Sequence, residues 1–243
     1  TQDECILTTG GKMAIYLLLQ YLCGLNSPLK ANPSDKIGVI IQAPFWVSYP
    51  SITKIMDGKP VIINTSEAGG WKLTPEMLKA AYTPDCKVLM LNNGVNPTGI
   101  IYTRSEMQAL LAMAVELDLL VISDEVYSTL VYTDDEYVSC GSFPEYKKHV
   151  VVIQSASKAF AMTGWRVGFL FAAPEIIDVM SALSTQSTTG VCLIAQHGAL
   201  AAFKHADEIN QWVNETMKHR RDIFVDAFRK YFGIQLEYPK ATL

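Results

Sequence analysis

Seven short runs of aliphatic and β-branched residues punctuate this chain, and several are apolar at every position instead of every second one. They are Cys5–Thr8, Ile37–Gln42, Val61–Asn64, Val88–Asn92, Leu119–Ser123, Val150–Gln154 and Val167–Phe171. Uninterrupted runs such as VLML, LLVI and VVVI suit strands covered on both faces, which is the situation in a parallel sheet. Between them the apolar residues recur at helical spacing, as in Met13, Leu17, Leu18, Tyr21 and in Met107, Leu110, Leu111, Ala114, Leu117. The pattern predicts an α/β fold: a mainly parallel seven-stranded sheet flanked by helices. A chain of 243 residues has room for one such domain and the start of a second.

The texture changes after Pro174. Ile176, Ile177, Met180 and Leu183 mark one amphipathic helix, and Ile209, Trp212, Val213, Met217, Ile223, Phe224, Ala227, Phe228 and Tyr231 mark a longer one that stops before Gly233. The alternation in Ile234–Tyr238 predicts a further strand. The expected division is therefore a sheet domain at 1–190, bridging helices at 191–232, and the start of an incomplete small domain at 233–243. The chain opens on Thr1 and closes on Ala241-Thr242-Leu243, and both ends read as cut.

Composition narrows the partners. The balance of 20 Lys+Arg against 24 Asp+Glu, net −4, provides no basic excess for a phosphate backbone, so nucleic acid is not expected. Five scattered cysteines without a CxxC pair read as thiols of a reducing compartment, and the four histidines lack metal-ligand spacing, so no metal is expected. The uncharged stretch from Val179 to Phe203 holds too many Ser, Thr and Gln residues for a membrane span. A cytoplasmic location is the expectation.

In a doubly wound sheet, ligands bind beyond the carboxyl ends of the strands, and the residues there carry chemistry. Thr9-Gly10-Gly11-Lys12 follows the first strand and opens a helix, a place where backbone N–H groups meet an anion. Asn93-Gly94-Val95-Asn96-Pro97-Thr98-Gly99, Asp124-Glu125-Val126-Tyr127 and Ser155-Ala156-Ser157-Lys158 follow three others, with Arg166 eight residues beyond Lys158. Each alone has a structural explanation: a turn, a helix cap or a solvated lysine. Together they bring an amide, a carboxylate, a phenol, hydroxyls, an amine and a guanidinium to one sheet edge. A phosphate takes N–H groups, hydroxyls and an arginine fork; a protonated ring nitrogen takes a buried carboxylate; a phenolic oxygen takes donors; an aldehyde takes an amine. The ligand with all four features is pyridoxal 5′-phosphate (PLP).

The segments TTGGK (8–12), APFWVSYP (43–50), NPTG (96–99), SDEVY (123–127) and SASKAFAMTGWRVGF (155–169) resemble those of fold-type I PLP enzymes, the class I/II aminotransferases, and are most similar to the aspartate aminotransferase-like branch. The resemblance runs from about residue 4 to about residue 232. It implies Lys158 as the lysine that attaches to the cofactor's aldehyde and moves the substrate's proton. It implies Asp124 on the ring nitrogen, Asn96 and Tyr127 on the phenolic oxygen, and Trp46 and Val126 against the two ring faces. Ser155, Ser157, Arg166 and the backbone of Gly11 and Lys12 would hold the phosphate. The implied activity is amino transfer between an amino acid and a 2-oxo acid by a homodimer. Lys12, beside the phosphate loop, points to a substrate with a second carboxylate.

Two departures stand out. Gly94 occupies a place where the family commonly has proline. The family's arginine for the substrate α-carboxylate lies in the small domain, beyond Leu243. The same residues also serve PLP-dependent β-lyases, and a non-catalytic ligand-sensing domain is the third reading.

Overall fold

The computed structural model describes residues 1–242; Leu243, the last residue of the expected 233–243 segment, lies outside the described residues. Seven strands form one sheet: β1 (Cys5–Thr8), β2 (Gly38–Ala43), β3 (Lys59–Asn64), β4 (Cys86–Asn92), β5 (Leu120–Asp124), β6 (Val150–Ser155) and β7 (Gly168–Phe171), in the order β1-β7-β6-β5-β4-β2-β3. Every pairing is parallel except the two made by β7, which runs against β6 and β1. The link from β6 to β7 holds only a four-residue helix and a single 3₁₀ turn, not the full crossover helix that usually joins parallel neighbours, and the chain turns back beside β6.

Register then decides what shares an edge. Asn92 pairs with Asp124, Asp124 with Ile153, Ser155 with Gly168, and Thr8 with Gly168. The ends of β4, β5, β6 and β1 therefore lie level, and the residues following them face one cleft.

Both faces of the sheet are covered. Val39, Ile41, Met90, Ile122 and Ile153 pack against α1 (Gly11–Cys23), α2 (Ser48–Ile55) and α6 (Pro174–Ser187). Ile40, Leu89, Leu91, Val121 and Val152 face the other way, onto α3 (Pro75–Ala81) and α4 (Arg104–Glu116). Alternate residues of one strand thus enter opposite cores, which is why the strands carry apolar residues at consecutive positions. A four-residue helix, α5 (Ala156–Ala159), follows β6. No helix among the described residues is long and apolar enough to cross a membrane.

Past the sheet lie α7 (Leu193–Lys204) and α8 (Ala206–Phe232). Gly233 ends α8 in the left-handed region at φ 67°, its N–H donating to Arg229 O. The expected strand over Ile234–Tyr238 does not form. An alternating pattern makes a strand only where a partner edge is offered. Here α8 takes the carbonyls instead: Arg229 donates to Leu236 O at 2.5 Å and Arg221 to Pro239 O at 2.9 Å. The chain then returns to the sheet domain, where Ala241 N donates to Gly99 O at 3.0 Å and Tyr132 N to Lys240 O at 2.8 Å.

Candidate active site

A cleft of about 450 Å³ opens at the level strand ends. Gly11, Lys12, Trp46, Asn96, Asp124, Val126, Tyr127, Ser155, Ser157, Lys158 and Arg166 all line it, together with Tyr49 and Thr163. Every residue singled out from the sequence is brought to this one place, from five separate segments.

Asp124 ends β5 and is 4% exposed. Its Oδ2 accepts a 2.7 Å hydrogen bond from the Tyr49 hydroxyl, and its Oδ1 a longer one, 3.4 Å, from the Val126 N–H. Burial pushes its pKa up from 3.8 to about 6, against the pull of those two donors. Among the described residues no cationic side chain lies within salt-bridge reach of it. A buried carboxylate in this state awaits a positive charge.

Asn92, at the end of β4, donates to Asp124 O at 2.7 Å, and its Oδ1 accepts from Asn96 N at 2.9 Å. That side chain stitches the NPTG loop to β5. Asn96 Nδ2 in turn donates to the Tyr127 hydroxyl at 3.1 Å. Burial raises the Tyr127 phenol above its ordinary value, and the Asn96 bond offsets part of the rise. The Tyr127 oxygen accepts from the amide, so its own O–H is free to donate into the cleft.

Lys158 sits on α5, with Nζ 5.6 Å from the Tyr127 ring centroid. Burial lowers its pKa below the usual lysine value, which enlarges the neutral, nucleophilic fraction of the amine. Ser155 has a local task. Its Oγ caps α5 by accepting from Ser157 N at 3.1 Å and donates to Val167 O at 3.0 Å, while the Ser155 and Ser157 hydroxyls lie 2.9 Å apart.

Arg166 adopts the left-handed region at φ 57°, and Nη1 donates to Thr163 O at 3.0 Å. Its guanidinium lies over Gly10, where a Cβ would come within 2.2 Å of Nη2. A Cβ at Gly168 would meet Gly11 N at 2.5 Å. These two glycines let the guanidinium and the start of β7 approach the N-terminus of α1 closely, and that corner of the cleft, which Gly11, Ser157 and Arg166 line, is the candidate cradle. The cradle has the donor set of a phosphate site.

Trp46 precedes α2 and lies edge-on to Tyr49, ring centroids 5.4 Å apart. The Lys12 ammonium rests over the Trp46 ring, 4.8 Å from its centroid. Tyr49 is a functional candidate that the sequence reading did not single out. Its spacing from Trp46, three residues across a helix start, was the available signal, because such residues share a face. The buried cationless carboxylate, the half-buried amine and the open cradle fit PLP on chemistry alone.

Residues 1–243 match the family described as Aminotransferase class I and II. The chain belongs to this family. Its relatives include the aspartate aminotransferase of Bacillus subtilis (strain 168), 37% identical over 219 residues, covering 90% of this chain and 53% of the relative. The aspartate/prephenate aminotransferase of Thermus thermophilus is 35% identical over 230 residues, covering 93% and 56%. The solved structure of the aspartate aminotransferase from Thermus thermophilus with maleate superposes with a TM-score of 0.89 at 33% identity, over 99% of this chain and 60% of that one. The chain thus spans little more than half the length of the curated relatives it matches. This family is PLP-dependent, and the fold is that of the large domain of the aspartate aminotransferases.

Proposed function

We propose that the protein carrying this chain is a PLP-dependent aminotransferase that moves an amino group between an aspartate- or glutamate-type amino acid and a 2-oxo acid. The observation that carries the reading is Asp124: a buried carboxylate with no cation of its own, facing the same cleft as a half-buried lysine. When bound, the cofactor supplies an electron sink for the substrate's Cα electrons.

The chain's residues do the rest. Asp124 holds a countercharge at the ring nitrogen, keeping it protonated. Asn96 and Tyr127 form a donor pair for the phenolic oxygen, and Trp46 and Val126 flank the ring. Ser155, Ser157, Arg166 and the backbone of Gly11 and Lys12 take the phosphate, with Ser155 contributing chiefly by holding the start of α5. Lys158 Nζ would hold the cofactor's aldehyde, and its amine is the group placed to take the substrate's α-proton as general base and to give it back as general acid. Burial holds its pKa below the usual lysine value, which favours the basic role. Lys12 reaches a distal carboxylate from its place over Trp46, and relatives named for aspartate support that preference.

The same reading takes residues 1–190 as the cofactor-holding domain, 191–232 as bridging helices and 233–243 as the opening of the small domain. It takes the protein as a homodimer, supported by exposed apolar residues on α7 and α8: Leu193, Ile194, Trp212 and Phe224. The test loads the full-length protein with PLP and adds aspartate without an oxo acid. Amino transfer predicts a stoichiometric shift of the cofactor's visible band to the shorter-wavelength amine form, with one equivalent of 2-oxo acid released. Continuous release of pyruvate and ammonia when an amino acid with a β-leaving group, such as cysteine, replaces aspartate would mark a β-lyase, and an unchanged spectrum with either would leave only ligand binding.

A further inference from the structure

After α8, residues 239–242 lie against the sheet domain, crossing the NPTG loop beside Tyr127. Three backbone bonds pin the crossing: Tyr132 N to Lys240 O at 2.8 Å, Ala241 N to Gly99 O at 3.0 Å, and Thr242 N to Leu130 O at 3.2 Å. The Tyr132 hydroxyl adds a bond to Thr242 O. Two glycines of the loop make room. Gly99 has φ +70°, and a Cβ there would fall 2.6 Å from Pro239 Cβ and 2.7 Å from Ala241 O. A Cβ on Gly94 would sit 3.2 Å from Tyr127 Cβ and 3.6 Å from Ala241 Cβ, so that glycine lies between the strap and the tyrosine.

Thr242 is the unusual member of this strap. It is 2% exposed, and its β-branched side chain is held in the left-handed region at φ 74°. Such a conformation persists where the surroundings impose it, and it gathers at functional positions. Among the described residues its buried Oγ1 has no completed hydrogen bond, a state that native structures seldom leave unanswered. The nearby hydroxyl is that of Tyr127, whose oxygen takes one bond from Asn96 and has a second lone pair to offer. The Thr242 side chain comes near enough to that phenol to pull against the rise that burial imposes on it, as Asn96 does.

We propose that Thr242 is a positioning residue for Tyr127, its Oγ1–H donating a second hydrogen bond to the phenol oxygen beside the one from Asn96. Two donors on that oxygen polarise the Tyr127 O–H and make it a stronger donor toward the cleft. The segment after α8 is thereby coupled to the pair that the proposed function assigns to the cofactor's phenolic oxygen. The functional meaning rests on that assignment; the bond itself does not.

The experiment therefore begins with cofactor-free full-length protein labelled with [13Cζ]tyrosine. The Tyr127 resonance is identified by its loss in Tyr127→Phe. Thr242→Val, which keeps the shape and removes the hydroxyl, should displace that resonance, and Thr242→Ser should restore it. Thr242→Ala serves the same purpose if the valine variant does not fold. A resonance unmoved by valine or alanine, or displaced as far by serine, overturns the proposal. In PLP-loaded protein the second readout is the pH midpoint of the cofactor's visible absorbance change. Weaker donation to the phenolic oxygen should raise that midpoint by about half a pH unit to one pH unit in Thr242→Val, with serine close to wild type. Failure to take up PLP would count against the proposed function and leave the resonance test standing.

Discussion

The Tyr49 hydroxyl donates to Asp124 Oδ2 at 2.7 Å, joining the first turn of α2 to the end of β5 across 75 residues of chain. Tyr49 is itself wholly buried, and burial holds its phenol well above the usual range, so it remains a donor under all ordinary conditions. It stabilises the ionised form of Asp124, the form that a protonated ring nitrogen needs. A hydrogen bond to a charged group is worth about 1.5–3 kcal/mol. Tyr49→Phe should therefore weaken PLP binding by about tenfold to a hundredfold, read by absorbance titration at pH 7. Affinity equal to wild type would remove Tyr49 from the site's machinery.

The same carboxylate makes the stability of the cofactor-free protein depend on pH. Its folded pKa of about 6 lies above the ordinary 3.8. Between these values the folded state holds a proton that the unfolded state has lost, so stability falls as pH rises through the window. The full effect is about 3 kcal/mol, present below pH 4 and gone above pH 6. Asp124→Asn removes it. Denaturant midpoints of the cofactor-free proteins should show the asparagine variant gaining on wild type as pH rises from 4 to 7, and parallel curves would contradict the burial argument.

Much of this was legible in the sequence. Consecutive apolar residues disclosed the two-faced sheet, and the residues after each strand disclosed the cleft. Strand ends moved by a residue or two, as at Asp124, where a carboxylate reads as a loop residue but still pairs with Asn92 and Ile153. The reversal of β7 was hidden, because an apolar run such as GFLF carries no sign of the direction in which it pairs. Residues 234–238 misled because alternation reports a half-buried extended segment and says nothing of whether an edge is free; the guanidiniums that claim Leu236 O and the neighbouring Pro239 O come from α8. Tyr49 was hidden because a buried phenol resembles a core aromatic until its hydroxyl's partner is known.

Lys12 tests the substrate side. Its ammonium over Trp46 is within the cleft and not paired with an acid among the described residues. A charge-assisted bond to a distal carboxylate is worth about 1–3 kcal/mol. Lys12→Ala should lower kcat/KM for aspartate by about five- to a hundredfold more than for an aromatic amino acid. Equal losses for both substrates would show that the lysine serves only the loop.

Gly10 tests the phosphate cradle. At φ +89°, with the Arg166 guanidinium where a Cβ would stand, alanine must displace the arginine or distort the start of α1. Gly10→Ala should weaken binding of PLP much more than binding of pyridoxal, which lacks the phosphate. A uniform loss for both ligands would place the damage elsewhere.

The central claim is that this cleft holds PLP on Lys158, and the most direct measurement is chemical. Full-length protein loaded with PLP is reduced with borohydride, digested and mapped by mass spectrometry. The phosphopyridoxyl group should lie on Lys158, in the peptide that runs toward Arg166, and Lys158→Ala should abolish the label. A label on any other lysine of the folded protein, or full labelling in Lys158→Ala, would contradict the account.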